Sequence, residues 1–282
     1  MISAFLLAIL STQISDIAPD AKGKVGAAVV LIEANKTISL HGSEHFPMQS
    51  VYKVPIAMAV LHEAGKGKLS LEQKVRIEES DILPPQFHSP IRDAHPHGGI
   101  ELTVRELLRY SIAESDGMAS DILLRLIGGP EVAQTYLRGI GINDIVIATT
   151  ERAMADGDRV QYRNWATPLA AAKLLQFIHE GRGLSREGRE LILKSMTDST
   201  PGPKRIKGQL PAGTVVAHKT GTSLTRDGMT FATNDIGIIT LPDGRHLVVA
   251  VFVSDSRADQ DTREAVIARI AKAAYDWAIV TR

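Results

Sequence analysis

The chain has 282 residues, in which 32 lysines and arginines balance 32 aspartates and glutamates, and it has no cysteine. Balanced charge without a basic block, together with an aromatic content of only 5%, argues against a nucleic-acid-binding surface. The absence of cysteine excludes disulfides and thiolate metal sites. The length is sufficient for one large domain or two interlocked ones.

The N-terminal stretch over residues 2–10 is apolar but is preceded by no lysine or arginine, and it is too short to span a bilayer. We interpret it as leading into a packed helix over 7–17, with a secretion signal trimmed, short or missing. A continuous β-branched run over 25–33 then predicts a buried strand, and residues 37–40 return as its hairpin partner.

From residue 50 to about 194 the pattern is helical, beginning with the apolar run 56–61. The polar segment 149–165 has little periodicity, and long irregular segments in compact domains are usually functional or disordered. Thr103 and Glu106 have the spacing of a capping box. Further helices are predicted over 100–110, 115–127, 131–137, 169–179 and 186–197.

Strands return after residue 211, over 214–219, 234–241 and 246–255, the last two joined by a Pro-Asp-Gly turn. The longer connection 224–233 suggests a widened edge of the cleft between the two predicted domains, and an amphipathic helix closes the chain. This order predicts an α/β domain over 1–46 and 206–282, with an antiparallel five-stranded sheet flanked by terminal helices. An all-helical domain over 47–205 is inserted into it.

Ser50 stands three residues before Lys53 at the start of the first central helix. Residues at i and i+3 of a helix are neighbours on one face. A serine hydroxyl is a weak nucleophile until a base takes its proton, and a buried lysine beside it can be that base. Taken alone, the pattern is more typical of a helix cap followed by a solvated lysine.

Three further stretches carry candidate polar groups: residues 115–117 at a helix start, Glu151 in the irregular segment, and residues 218–223 at a strand end. Taken singly, they are typical of a helix cap, a solvated loop acid and a strand running into a turn. Their interpretation therefore depends on whether they form a set.

The order and spacing of four motifs do form a set. Ser-x-x-Lys at 50–53, Ser-Asp at 115–116, a loop glutamate at 151 and Lys-Thr-Gly at 219–221 are the motifs of class A serine β-lactamases. The chain resembles that family along nearly its whole length, and it is most similar to the branch containing the PER and VEB extended-spectrum enzymes. The resemblance implies the serine β-lactamase and penicillin-binding transpeptidase-like fold.

The resemblance also implies a role for each catalytic residue. Ser50 attacks the lactam carbonyl, and Lys53 and Glu151, the latter through a water, are alternative bases for that step. Ser115 passes a proton to the departing nitrogen with the help of Lys219. Residues 50, 53, 115, 151 and 219 are therefore expected to converge on one crevice.

The remaining site residues are also implied by the resemblance. The backbone N–H groups of Ser50 and Thr222 form the oxyanion hole. Arg205 fits a carboxylate-binding role and a solvated surface charge almost equally well, and His88 fits either the cleft mouth or ordinary loop packing. The residues expected to bind substrate are Thr220, Gly221, Thr222, Ser223, Gly117, Arg205 and His88.

Two positions depart from the family pattern. Gly117 stands where family members commonly have asparagine, and its lack of a side chain is expected to remove a substrate contact and enlarge the local space. Ala155 stands where asparagine or histidine is common, so a water held from that side loses one partner. Substrate preference and the geometry of deacylation are both affected.

The implied function is hydrolysis of β-lactam antibiotics through a serine acyl-enzyme, with a water activated by Glu151 and with extended-spectrum cephalosporins among the substrates. The alternatives are a D-alanyl-D-alanine peptidase or transpeptidase and a non-catalytic sensor that is acylated once. Glu151 favours the hydrolase, because peptidases that share the other motifs stay acylated for long periods.

The expected partners are small-molecule β-lactams alone, acting on a periplasmic or secreted monomer without stable membrane insertion and without nucleic acid. No cofactor and no metal are expected. His95 and His97 lie two residues apart in a Pro/Gly-rich loop, which is not a typical zinc-binding pattern.

Overall fold

The computed structural model describes residues 2–281, with side chains from residue 6 onward. Its contacts cluster into two compact units. Unit 1 comprises the stretch up to Val51, Trp165–Gln176 and the stretch from Gly202 onward, and unit 2 comprises Tyr52–Asn164 and Phe177–Pro201.

The strands range from two to twelve residues in length. Within residues 2–281 they are, in chain order, β1 (Lys24–Leu31), β2 (Lys36–Leu40), β3 (Phe46–Pro47), β4 (Lys74–Arg76), β5 (Glu101–Thr103), β6 (Ile145–Val146), β7 (Trp165–Ala166), β8 (Val216–Thr222), β9 (Thr225–Arg226), β10 (Met229–Thr240) and β11 (His246–Ser256).

The α-helices include one at each end of the described chain. Within the same residues they are α1 (Ile2–Ile17), α2 (Lys53–Gly65), α3 (Pro90–Ala94), α4 (Val104–Ala113), α5 (Gly117–Ile127), α6 (Pro130–Gly139), α7 (Pro168–Glu180), α8 (Arg186–Thr197) and α9 (Gln260–Val280). No helix of the described part is both long enough and apolar enough to cross a membrane.

Unit 1 is built on the predicted antiparallel sheet, whose strand order is β2-β1-β11-β10-β8. The five-stranded prediction is confirmed, with the short β9 pairing to β10 as an addition. Strands β1, β10 and β11 are buried along nearly their whole length, which explains their continuous apolar runs. Helices α1 and α9 contribute Leu10, Ile14 and Ile270 to the core on this sheet.

Unit 1 also contains a segment that the sequence analysis assigned to the inserted domain. Strand β7 pairs with β3, the ring of His45 stacks on Trp165 with centroids 3.6 Å apart, and the N–H of Leu169 donates to the carbonyl of Gly42. These contacts join residues 165–169 to residues 42–47, and the segment Trp165–Gln176 belongs to unit 1, whereas the predicted inserted domain ran without interruption over 47–205.

Unit 2 is organised around α2, whose residues from Lys53 to Leu61 are all buried. Helices α4, α5, α6 and α8 pack around it, as expected for a helix that is apolar on every side. The structure places Ser50 in a 3-10 turn over Gln49–Tyr52, and the α-helix begins only at Lys53. Pro55 fits this start, because the first-turn N–H that it lacks would have no helical partner.

Local signals fix the other boundaries in unit 2. The predicted capping box is confirmed: the Thr103 hydroxyl accepts from the N–H of Glu106, and the Glu106 carboxylate accepts from the N–H of Thr103. The irregular segment contains two 3-10 turns, Arg152–Asp156 and Val160–Arg163. The Asn164 side chain closes it by hydrogen bonds to the backbone of residues 148 and 149.

Loss of the Thr103 hydroxyl should weaken the start of α4. We expect Thr103→Ala to lower unfolding free energy by about 1 kcal/mol, which corresponds to a fall in Tm of about 2–4 °C for a protein of this size. Glu106→Gln keeps the capping-box pattern and should cost less. Thermal unfolding followed by circular dichroism measures both, and equal losses in the two variants would contradict this account.

Candidate active site

In unit 2 the structure brings together Lys53, Ser115 and Glu151. The Nζ of Lys53 lies 3.0 Å from Oε1 of Glu151 and donates to the carbonyl of Ser115 at 2.6 Å. Lys53 is 1% exposed, Ser115 7% and Glu151 8%. Three residues separated by up to 98 positions in the chain, from 53 to 151, therefore share one buried cluster, with a cation and a carboxylate in direct contact.

The backbone is strained in the stretches that carry the two predicted serines. Ser115 has φ +59°, and Gln49, which directly precedes Ser50, has φ +47°. Left-handed backbone is uncommon for residues other than glycine and persists only where surrounding contacts impose it. Such outliers cluster at functional sites, which agrees with the candidate role of these two stretches.

Asp116 fixes the turn between Ser115 and α5. Its carboxylate is fully buried and accepts from the N–H of Ala119, the N–H of Ile91 and the hydroxyl of Ser89 at 2.8–2.9 Å. The predicted N-cap is thereby confirmed, and the same side chain also holds α3 in place. The start of α5 is consequently held from two directions.

The sequence analysis missed Asp121, which holds the backbone of the loop that carries Glu151. Its two carboxylate oxygens accept from the N–H of Glu151 at 2.8 Å and from the N–H of Arg152 at 2.9 Å. Burial raises the pKa of Asp121 to about 6; the two N–H groups oppose the rise and the charge of Glu151 adds to it. Asp121 lies inside an ordinary helical pattern, so no sequence signal identified it.

Tyr52, which precedes Lys53, is also buried next to this cluster. Tyr52 is fully buried, and its hydroxyl interacts with Glu151. Burial, and next the charges of Glu151 and Asp121, raise the pKa of the Tyr52 phenol well above its usual range. The phenol therefore stays protonated beside two carboxylates.

The structure corrects the expectation that Gly117 enlarges the local space. A Cβ atom at this position would lie 3.1 Å from a methyl carbon of Leu83, 3.2 Å from Cγ of Glu151 and 3.3 Å from the carbonyl oxygen of His88. A Cβ atom would fit only if a neighbour shifted by a few tenths of an ångström, so the structure leaves no free space at the Cβ position itself. The His88 ring is exposed, and its Nε2 donates to the carbonyl of Glu114 at 2.9 Å.

In unit 1 the Lys-Thr-Gly strand lies directly against the segment that leads to Ser50. A Cβ atom on Gly221 would lie 2.3 Å from the carbonyl oxygen of Met48, so only glycine permits this approach. The side chain of Asn234 donates to the carbonyls of Pro47 and Met48 at 2.8 and 3.1 Å. Both contacts place β8 and β10 beside the chain segment that ends in Ser50, which is itself partly exposed.

The polar residues of β8 and the turn that follows it differ in exposure. Lys219 is fully buried, and its Nζ donates to the carbonyl of Thr220. Thr220 as a whole residue is 3% exposed. Thr222 is exposed. The hydroxyl of Ser223 donates to the carbonyl of Leu224 and accepts from the N–H of Ala232.

Arg205 is not a solvated surface charge, because it is only 3% exposed. Its Nε donates to Glu264 at 3.1 Å, Nη1 donates to the carbonyls of Gly221 and Asn234, and Nη2 donates to the hydroxyl of Thr222 at 2.7 Å. The guanidinium therefore joins α9 to the exposed end of β8. Glu264 was missed by the sequence analysis, because it occupies an ordinary position in an amphipathic helix.

A second buried pair lies behind the same strand. The Nδ1 atom of His218 lies 3.0 Å from both carboxylate oxygens of Asp235, and both side chains are fully buried. Asp235 also accepts from the N–H of Ile206 at 3.1 Å, which anchors the turn directly after Arg205. This pair was also missed, although it adjoins the Lys-Thr-Gly motif.

Known proteins are similar to this chain along most of its length. A family model described as the β-lactamase enzyme family matches residues 9–278. The extended-spectrum β-lactamase PER-1 from Pseudomonas aeruginosa is 43% identical over 95% of the chain and 87% of its own length. The corresponding values for β-lactamase VEB-1 from Pseudomonas aeruginosa are 41%, 95% and 90%.

A solved structure is similar to this chain in both sequence and fold. The crystal structure of a β-lactamase from Chitinophaga pinensis is 47% identical, covers 95% of this chain and 98% of its own, and superposes with a TM-score of 0.92.

The raised pKa of Asp121 predicts a pH dependence of stability. Its folded-state value of about 6 lies above the ordinary 3.8, so its contribution to unfolding free energy is fully present below pH 4 and is lost as pH rises through 6. Between pH 4 and pH 7 we expect wild type to lose about 2–3 kcal/mol relative to Asp121→Asn.

Urea unfolding at the two pH values measures this difference. The exposed Asp156 lies on the same loop, and Asp156→Asn serves as the matched control. Parallel pH dependences for wild type and Asp121→Asn would contradict the proposed protonation.

Proposed function

Because the chain belongs to the β-lactamase enzyme family and is a class A β-lactamase, we propose that Ser50, Lys53, Ser115, Glu151 and Lys219 are its catalytic residues. The family activity is hydrolysis of β-lactams. The observation that carries the assignment is the buried contact of Lys53 with both Glu151 and the carbonyl of Ser115.

In the acylation step, Oγ of Ser50 forms a bond to the lactam carbonyl carbon and gives up its proton to a base. Lys53 and Glu151, the latter through a water, remain the two candidates for that base. The carbon–nitrogen bond then breaks, and the nitrogen takes a proton from the hydroxyl of Ser115, which regains a proton from the base that deprotonated Ser50. Lys219 supports this transfer electrostatically. The backbone N–H groups of Ser50 and Thr222 stabilise the oxyanion.

In the deacylation step, Glu151 takes a proton from a water as the water oxygen bonds to the acyl carbon. The ester bond to Ser50 breaks, and its Oγ receives the proton that Glu151 took from the water, which restores the Glu151 carboxylate. The ring-opened acid leaves, so one water has been added across the lactam bond. The fixed backbone of Glu151 supports this role, because a general base acts only within hydrogen-bond reach of the proton it removes.

The carboxylate of the substrate is proposed to bind at the exposed end of β8. Thr220, Thr222 and Ser223 supply hydroxyl groups there. Gly221 permits the close approach of β8 to the carbonyl of Met48. The positive guanidinium of Arg205 lies beside this end of the strand, where it donates a hydrogen bond to the Thr222 hydroxyl. Gly117 and His88 border the catalytic cluster in unit 2.

The substrate range, location and assembly state are part of the same proposal. PER-1 is named as an extended-spectrum enzyme, and we extend that range, including bulky cephalosporins, to this chain. Its substrates act outside the cytoplasm, so the protein is proposed to be periplasmic or secreted. It is proposed to act as a monomer.

Replacing the deacylating base should trap the acyl-enzyme. We expect Glu151→Gln to become acylated yet to turn over at least about 100-fold more slowly, because removing one well-placed general base typically costs 10²–10⁴-fold. Intact-protein mass spectrometry after mixing with a penicillin follows the adduct. Ser50→Ala is the control that should form no adduct, and rapid turnover by Glu151→Gln would refute the role.

The role of Arg205 is tested with a substrate whose carboxylate is masked. Arg205→Lys keeps the charge but loses the planar fork of donors, so we expect kcat/KM for a penicillin to fall about 10-fold while kcat/KM for its methyl ester changes little. Lys204→Ala, at the exposed neighbouring position, is the control. Equal losses on the acid and the ester would indicate a purely structural role for Arg205.

A further inference from the structure

Three atoms of unit 2 lie close to the position that a Cβ atom of Gly117 would occupy. A methyl group added there would lie 3.1 Å from Leu83, 3.2 Å from Cγ of Glu151 and 3.3 Å from the carbonyl oxygen of His88. Real Cβ atoms rarely approach other heavy atoms so closely, so at least one of these neighbours would have to move by a few tenths of an ångström. Which neighbour moves determines the effect of the side chain.

Glu151 is held at both its backbone and its side chain. Its N–H donates to Asp121 at 2.8 Å, the next N–H donates to the same carboxylate at 2.9 Å, and its own carboxylate lies 3.0 Å from Nζ of Lys53. Cγ lies between these two anchored ends. Displacing Cγ therefore changes the direction of the carboxylate.

The helix that carries Gly117 is held as well. The N–H of Gly117 donates to the carbonyl of His88 at 2.9 Å, and the preceding Asp116 is tied to Ser89 and Ile91. The third neighbour, Leu83, is 2% exposed and so is packed on its other sides. Neither the helix start nor Leu83 can yield without losing these contacts.

We propose that Gly117 is a positioning residue for Glu151, in which the absence of a side chain allows the glutamate to lie against the start of α5. This inference rests on the proposed role of Glu151 as the deacylating base. It replaces the expectation that the missing side chain at Gly117 affects substrate preference by enlarging the space near the substrate. Any side chain at position 117 then reduces deacylation through the orientation of Glu151, whatever substrate is bound.

The test compares Gly117→Ala and Gly117→Asn with Gly139→Ala. Gly139 also lies at a helix end, and a Cβ there would meet no atom within 4 Å. A misplacement of about 1 Å can reduce an enzymatic rate about 100-fold. We therefore expect kcat to fall about 10-fold in Gly117→Ala and further in Gly117→Asn, with Gly139→Ala within about 2-fold of wild type.

A purely structural role for Gly117 would not change the rate of deacylation relative to the rate of acylation. If Gly117 positions the deacylating base, KM should fall together with kcat, and the acyl-enzyme should become the main species by rapid-quench mass spectrometry. Adding Leu83→Ala to Gly117→Ala opens room on one side and should recover at least about 3-fold of the lost kcat. The double variant also supplies the readout if Gly117→Ala alone is poorly folded by thermal unfolding.

The outcomes separate this inference from the proposed function. Adduct trapping by Glu151→Gln with unchanged kcat in Gly117→Ala would overturn the inference alone. A fall in kcat without accumulation of adduct would also overturn it, because the affected step would then be acylation. Rapid turnover by Glu151→Gln would overturn the role of Glu151 and, with it, this inference.

Discussion

The ion pair between Lys53 and Glu151 is the interaction on which the rest of unit 2 depends. Both side chains are nearly inaccessible to water, and removing two charges from water costs several kcal/mol per ion unless further hydrogen bonds compensate. That compensation comes from the carbonyl of Ser115, which has left-handed backbone torsions. The strained turn, the buried helix and the irregular loop are therefore parts of one arrangement.

Lys53 is buried because it lies in the first turn of α2, a helix that other helices surround. Packed on every side by other helices, α2 has a polar side chain in its first turn that cannot reach bulk water. Its charge has to be met by groups from other segments. Ser115 at the start of α5 and Glu151 in the loop meet that need, and both come from distant parts of the chain. The buried charge of Lys53 thus links the two segments that contact it.

Much of the fold and the motif residues could be predicted, because both depend on local patterns. Apolar periodicity located the main strands and helices, and the capping box at Thr103 is local. What was missed depends on tertiary contact: Asp121 and Glu264 occupy ordinary helical positions, and their importance comes from partners far along the chain. Strand β9 was missed for a different reason: Asp227-Gly228, a hairpin signal with φ +50° and +72°, lies within the connection 224–233 and was overlooked.

Asp121 and Glu151 have different partners beside the buried Lys53. Two carboxylates lie near a single buried lysine, and only Glu151 is in direct contact with it. Asp121 is left with backbone N–H groups as its partners, so burial and the charge of Glu151 raise its pKa. The same carboxylate must remain an acceptor to hold residues 151 and 152 in place. The chain therefore fixes its loop glutamate with a side chain that tolerates its charge only at a cost in stability, as is common where function and stability compete.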